Sequence, residues 1–232
     1  VTPTAIRDVI AAGGPDIVYQ PIVALGAHDT IQGYEALARF PDGKPPNLWF
    51  DAAWTEGLGL LLEFAAIQRA IEHFRPGLGY LAVNASPSSL LDDGLLELLQ
   101  PDGLDVQVVV ELSETQTVAS YTALRYAMAR LQEINVTLSI DDLGAGFSSM
   151  AHVLELEPES LKIDRRFTQK VPEDKRFDAI VAAIVAMAHA LDVLAIAEGI
   201  ESKQQRDGLR SLGCDAGQGW FLGVPGPLPE AT

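Results

Sequence analysis

The chain has 232 residues, of which 32 are Asp or Glu and 16 are Lys or Arg, giving a formal net charge of −16. That balance argues against binding a nucleic acid polymer or an anionic membrane through global charge. Apolar residues make up 48%, which excludes a disordered linker, and the length suits one large domain or two small ones at about 100–200 residues each. The single cysteine, Cys214, excludes an internal disulfide and fits a reducing, cytoplasmic compartment.

The sequence opens on VTPTAIRDVI, with no basic segment leading into an apolar one, so no signal peptide is expected. Lacking an initiator Met, it reads as a single domain spanning 1–232, excised from a longer protein. Any fused sensor or membrane anchor would lie outside this chain.

The spacing predicts a helix over 3–12 and strands at Asp16–Val23 and Gln32–Ala38. No helix separates these two strands, so they are expected to pair as an antiparallel hairpin. Pro41–Asn47 (PDGKPPN) reads as a loop. A long helix over 51–75 follows, in which Trp54 reads as core or interface packing. A strand at Gly79–Ala85 leads to a helix over 88–100, with Ser86 as its cap and Pro87 in its first turn. Strands at Val106–Leu112, Val136–Asp141 and Ser160–Asp164 alternate with helices over 118–134 and 148–154. Val171–Lys175 reads as a second loop, with Pro172 suited to the start of the helix over 174–191. The apolar stretch Ala179–Ala197 is interrupted by His189 and Asp192. It reads as that helix running into a buried strand at Val193–Glu198, and not as a membrane span. A helix over 202–211, capped by Ser202, and a strand at Ala216–Phe221 complete the pattern. Continuous apolar runs such as LAV, VVV and LAIA indicate strands buried on both faces, hence a parallel sheet under helices. At this length the alternation is that of a doubly wound sheet or a (β/α)8 barrel.

The polar residues favour the barrel. Seven of the eight predicted strands carry one in or near their C-terminal half: Glu35, Asn84, Glu111, Asp141 with Asp142, Lys162, Glu198 and Gln218. From Asn84 onward the gaps are 27, 30, 21, 36 and 20 residues, one βα unit each. Any one of these residues alone would read as a helix cap, a surface charge or a loop residue. Repeated on successive strands, they read as a site at the C-terminal rim, where barrel enzymes place their chemistry. Ionised carboxylates inside an apolar barrel cost several kcal/mol each unless paired or metal-bound. Glu35, Asn84, Glu111, Asp141 and Asp142 all offer oxygen, a set that suits Mg²⁺ or Mn²⁺ better than Zn²⁺. Four carboxylates make a two-ion site plausible, and Lys162 could hold a water or developing phosphate charge. The chemistry this points to is hydrolysis of a phosphate ester by in-line attack of a metal-activated water.

Eight ordered motifs carry a resemblance. They are YQPIV (19–23), GYEALAR (33–39), VNASPSSL (83–90), ELSET (111–115), DDLGAGFSS (141–149), LKIDRRF (161–167), AEGIE (197–201) and GCDAGQGWFLGVP (213–225). Over residues 16–225 the chain resembles the EAL-domain family of cyclic-di-GMP phosphodiesterases. The resemblance implies a modified TIM barrel with an antiparallel first strand. It also implies hydrolysis of cyclic-di-GMP to linear 5′-pGpG with two Mg²⁺ or Mn²⁺ ions, in bacterial second-messenger signalling. By the same resemblance Glu35, Asn84, Glu111, Asp141 and Asp142 look like the metal ligands, and Lys162 like the lysine that positions the attacking water. Glu198 matches a glutamate of the metal site or general base, and Gln218 a glutamine beside the catalytic centre. Glu114 matches the glutamate anchoring the loop after Asp142; Gln20, Leu37 and Arg39 match substrate-contacting positions. Glu201 matches the second glutamate of AEGIE. A homodimer and a fused sensor or GGDEF-type domain outside this chain are further implications.

The departures fall mostly in one loop, with Trp54 a further one, in a helix where the family more often has small or aliphatic residues. Where the family usually reads DDFGTGYSS, Leu143, Ala145 and Phe147 stand for Phe, Thr and Tyr. That leaves open a second reading, a weak or inactive EAL domain serving as a cyclic-di-GMP receptor or protein-interaction module. A receptor would be expected to have lost one of the acidic or lysine positions, and none is lost. A third reading, an unrelated metal-dependent barrel isomerase, does not account for the ordered motifs.

Overall fold

The computed structural model describes residues 1–100, 106–113, 116–144 and 149–229. Eight strands close a barrel in sequence order: β1 (Asp16–Ala24), β2 (Thr30–Arg39), β3 (Tyr80–Asn84), β4 (Val108–Ser113), β5 (Val136–Leu143), β6 (Ser160–Ile163), β7 (Leu194–Ala197) and β8 (Ala216–Gly217). Strand β1 is antiparallel to both neighbours, β2 and β8, and the remaining pairs are parallel. The reason is local. Only residues 25–29 join β1 to β2, too few for the crossover that a parallel pair needs.

Ten helices are seen among the described residues: α1 (Pro3–Ala11), α2 (Pro46–Thr55), α3 (Gly59–His73), α4 (Pro87–Leu90), α5 (Asp93–Leu99), α6 (Tyr121–Gln132), α7 (Ser149–Leu156), α8 (Arg165–Thr168), α9 (Lys175–Ala190) and α10 (Lys203–Ser211). The Ser86 and Ser202 caps form as expected, the latter as a full capping box with Gln205. The helix expected over 51–75 is two, because Gly57 takes a left-handed φ of 70° and turns the chain between them. The expected loop at Pro41–Asn47 already enters α2 at Pro46. The helix expected over 88–100 is likewise divided, with Asp92 capping its second part. Pro172 does not begin a helix; α9 starts at Lys175 under an Asp174 cap. Asp164, expected inside a strand, caps the short helix α8 by accepting from the Arg166 amide at 2.7 Å. The last strand is shorter than expected and ends before Gln218.

Strand alternation sorts the side chains. Val108, Val110, Leu138, Ile140, Leu161, Ile163, Ala195 and Ala197 join the main core, packed with the helices. The alternate positions Ile22, Ala82, Val109, Ile196 and Ala216 form a separate small cluster with Tyr80, which plugs the barrel. Gln20, Glu35, Asn84, Glu111, Glu198 and Gln218 stand two places from Ile22, Gly33, Ala82, Val109, Ile196 and Ala216, so they continue the inner face toward the rim. A third cluster ties α1 to α2 and α3 around Phe40 and Trp49, whose rings stack with centroids 4.5 Å apart.

A β-carbon at Gly33 would collide with the backbone oxygen and ring of Tyr80, whereas one at Gly26 would meet nothing. Gly33→Ala is therefore expected to destabilise the fold by about 1–3 kcal/mol through overpacking. Gly26→Ala should stay within about 0.5 kcal/mol of the parent. Urea unfolding midpoints at unchanged slope would check both.

Candidate active site

The inner-face polar residues meet around one side chain. Lys162, on β6, is fully buried, and its Nζ lies 3.2 Å from Glu35 Oε2, 3.1 Å from Glu111 Oε2, 3.3 Å from Asp141 Oδ1 and 3.0 Å from Glu198 Oε1. Glu35 is braced further. Asn84 Nδ2 donates to its Oε1 at 3.2 Å, and Gln218 Nε2 donates to its Oε2 at 2.6 Å. Gln218 Nε2 also reaches Gln20 Oε1 at 3.1 Å, and Gln20 Nε2 donates to the Gly223 carbonyl at 3.0 Å. The strand ladders set this up by placing Gln20 opposite Glu35 and Asn84 opposite Glu111.

Asp141 and Asp142 are adjacent in sequence, and on a regular strand they would face opposite sides. The β5–β6 ladder shifts register between Ile140 and Leu143, and Asp142 takes a left-handed φ of 58°. This bulge brings both carboxylates round to the rim. The Asp142 amide then donates to Asp141 Oδ1 at 2.9 Å. Asp141, Asp142 and Glu198 each offer an oxygen, all within 4.8 Å of one another. Glu198 follows β7 directly; its amide donates to the Ile163 carbonyl at 3.1 Å, and Thr168 of α8 donates to its carbonyl oxygen. Helix α8, absent from the sequence reading, thus fixes a rim glutamate.

One ammonium cannot balance four carboxylates, and the proton affinities reflect that. Burial raises the Glu35 carboxyl, but Lys162 and the bonds from Gln218 and Asn84 outweigh it and hold the group below its ordinary value. Burial and the neighbouring charge of Glu35 push Glu111 well above the carboxylate range despite Lys162. Burial carries Glu198 up to about 8, with Asp141 and Glu35 adding to it and Lys162 opposing. Burial opposes the charge on Lys162, yet the four carboxylates together hold its ammonium well above the usual lysine value. The cluster therefore keeps protons where cations would be favoured. All-oxygen donors, excess negative charge and a buried Gln218 Oε1 that accepts no hydrogen bond among the described residues fit a divalent-ion site.

Beside the cluster lies a cavity of about 430 Å³ that reaches Glu35, Asn84 and Glu111 at one side. Its walls are largely apolar, from Ile17, Leu37, Ala38, Phe50, Trp54 and Ile67, with Ser113 and Gln116 also on its lining. That size falls in the range of about 300–1,000 Å³ common for small-molecule sites. Leu37 is where the sequence reading expects a ligand contact. Arg39 is exposed and donates to the Ala38 carbonyl at 2.9 Å, so the structure does not bring it onto the carboxylates. Glu201 is exposed and accepts from Gln169 Nε2 at 3.1 Å, outside the cluster. Glu114 and the loop residues Ala145 and Phe147 lie outside the described residues. Phe50, Trp54, Ser113 and Gln116 were not singled out as site residues. Phe50 and Trp54 lie on α2 and Gln116 beyond β4, where spacing carries no rim signature; Ser113, two places past Glu111 on β4, is the one that strand alternation could have found.

Because Lys162 alone offsets the carboxylates, Lys162→Met is expected to destabilise the metal-free domain by about 3–5 kcal/mol. Adding Mg²⁺ or Mn²⁺ should return part of that, read as the difference in melting temperature with and without chelator.

The chain is similar over nearly its whole length to known proteins. The family model described as EAL domain matches residues 4–225. The cyclic di-GMP phosphodiesterase NbdA of Pseudomonas aeruginosa is 32% identical over 240 residues, covering 96% of this chain and 30% of its own length. Several other curated relatives are likewise matched over only 29 to 34% of their length, so this chain spans about a third of them. Among solved structures, the EAL enzyme Bd1971 with cAMP and cyclic-di-GMP bound aligns with a TM-score of 0.84 at 27% identity, covering 96% of this chain and 65% of that one. The Klebsiella pneumoniae BlrP1 complex with manganese and cyclic-di-GMP aligns at 0.78 and 27% identity, covering 90% and 55%. With its barrel, its antiparallel first strand and its rim of acidic residues, the chain belongs to the EAL domain family.

Proposed function

We propose that this domain hydrolyses cyclic-di-GMP to linear 5′-pGpG with two divalent ions, Mg²⁺ or Mn²⁺. The observation that carries the reading is the buried Lys162 ammonium ringed by Glu35, Glu111, Asp141 and Glu198 at the mouth of an apolar cavity. A phosphate diester with two planar bases has the same division, an anionic centre beside apolar faces. The cyclic-di-GMP complexes of Bd1971 and BlrP1 support it by analogy.

Glu35, Asn84, Glu111, Asp141 and Asp142 would hold the ions. Such ions supply charge neutralisation at the phosphate and a lowered pKa for water. In the hydrolysis, a water oxygen bonds to phosphorus and the bond from phosphorus to the 3′-oxygen breaks. The ring opens, and the 3′-oxygen takes up a proton. Lys162 is placed to orient that water and to offset charge growing on the phosphate. Glu198, exposed enough to exchange with solvent, is suited to take the water's proton or to complete the ion site. Gln218 and Gln20 keep the Glu35 carboxylate oriented. Leu37 lines the base cavity, Arg39 is a candidate partner for the second phosphate, and Glu114 for anchoring the loop after Asp142. Leu143 is buried and pairs with Ile163 in the ladder, so loss of the Phe ring there is met by packing. That favours a working enzyme over a receptor. A homodimer, and a fused sensor or GGDEF-type domain beyond this chain, complete the proposal. So does a cytoplasmic setting; no described helix is long and apolar enough to cross a membrane.

The test is chromatographic. Cyclic-di-GMP incubated with the domain should yield pGpG with Mg²⁺ or Mn²⁺ and none with chelator; binding without product would instead mean a receptor. Glu35→Ala and Asp141→Ala are each expected to lower turnover by more than about 100-fold with the fold intact by circular dichroism. Glu198, at about 8, holds a proton at neutral pH in the metal-free protein, and an ion must displace it. Glu111 is raised as well, so metal affinity should rise by at least about tenfold per pH unit from 6 to 8. Mn²⁺ titrations at pH 6, 7, 8 and 9 would show this, and a flat profile would exclude it.

A further inference from the structure

The cavity has one wall built differently from the rest. Trp54, near the end of α2, lines it and is partly exposed. Its indole lies so close over Gly59, the first residue of α3, that a β-carbon there would collide with the ring. Its Nε1 donates to Glu63 Oε1 at 2.9 Å. Glu63 is buried, and its other oxygen accepts from the Ser86 amide at 3.1 Å and from the Ser89 hydroxyl. Ser86 lies two residues beyond Asn84, whose amide braces Glu35. A buried carboxylate thus joins an aromatic wall of the cavity to the turn that follows a rim residue.

Packing alone asks only that the indole nitrogen find some acceptor; here the acceptor is a buried carboxylate held from its other oxygen, and a glycine lies beneath the ring. These two features fix the ring plane. A fixed aromatic plane beside an apolar space is what a flat heterocycle stacks on, because little side-chain freedom is then lost on binding. We propose that Trp54 is the surface on which one base of the bound cyclic dinucleotide stacks, and that Glu63 is the positioning residue that holds it there. This rests on the phosphodiesterase reading and adds the residue that recognises the base.

The experiment is steady-state hydrolysis of cyclic-di-GMP by the parent domain and by Trp54→Ala, Trp54→Phe and Glu63→Gln. Trp54→Ala should raise KM between about 5- and 100-fold, the range of one base–aromatic stack, with kcat within about threefold. Trp54→Phe should recover most of the loss, since a smaller ring still stacks. In Glu63→Gln one oxygen becomes a donor, so the side chain no longer accepts from both Trp54 and the Ser86–Ser89 turn. KM should rise to an intermediate value while the Mn²⁺ concentration for half-maximal rate stays unchanged. If the parent turns over and Trp54→Ala leaves KM unaltered, or if kcat and the Mn²⁺ requirement shift in place of KM, the stacking role is overturned and the enzyme reading stands. If the parent neither binds nor hydrolyses cyclic-di-GMP, the enzyme reading falls and takes this inference with it. Trp54→Phe, which keeps a ring over Gly59, guards against an alanine variant that fails to fold.

Discussion

A fully buried ammonium is the constraint on which the rest of the rim depends. Lys162 cannot shed its charge cheaply, because four carboxylates stand within about 3.3 Å of its nitrogen. Nor can those carboxylates disperse, because each is fixed to a different strand or strand end of a closed barrel. The desolvation of five ionisable groups is thus held in place by the barrel itself. The plug of Ile22, Ala82, Val109, Ile196 and Ala216 fills the barrel beneath them with apolar side chains. Burial and the neighbouring carboxylates raise Glu111 and Glu198 above the range of a surface glutamate. The site stores negative charge in a form that cations can claim.

The reversed first strand serves the same end. With β1 antiparallel, Gln20 comes level with Glu35 and meets Gln218, which directly follows the neighbouring strand β8. Closure between β1 and β8 involves only the pairs Val23–Gly217 and Ala24–Ala216. Toward the rim the side-chain amides of Gln20 and Gln218 extend that short seam, and the Tyr19–Gly226 backbone bridge continues it.

Much of this could be read from the residues. The alternation of apolar strand runs with helical runs and the recurrence of one polar residue per βα unit pointed to the barrel and its rim, and the lack of a helix between the first two strands pointed to the hairpin. Glu35, Glu111, Asp141, Lys162 and Glu198 do converge. What could not be read depended on geometry across elements. The break at Gly57 looks like an ordinary glycine in an apolar helical run until its φ is known. Asp164 has the look of one more rim acid, yet its carboxylate is spent on the start of α8. Arg39 sits in the family motif, but its guanidinium turns back to its own backbone. Trp54 and Glu63 are nine residues apart, on different helices, and no spacing rule links them to the rim.

The bulge at Asp141 and Asp142 separates two kinds of selection. A left-handed aspartate is tolerated but strained, and glycine would adopt the same φ of 58° without cost. Variants of this stretch sorted by heat resistance alone would drift toward glycine at position 142, or toward deletion of a residue that restores the ladder with β6. If Asp142 holds an ion as proposed, variants sorted by turnover would keep the aspartate. On that reading the stability of this barrel and the work done at its mouth are under opposed pressures at a single backbone position, and an engineered thermostable form should be checked there first.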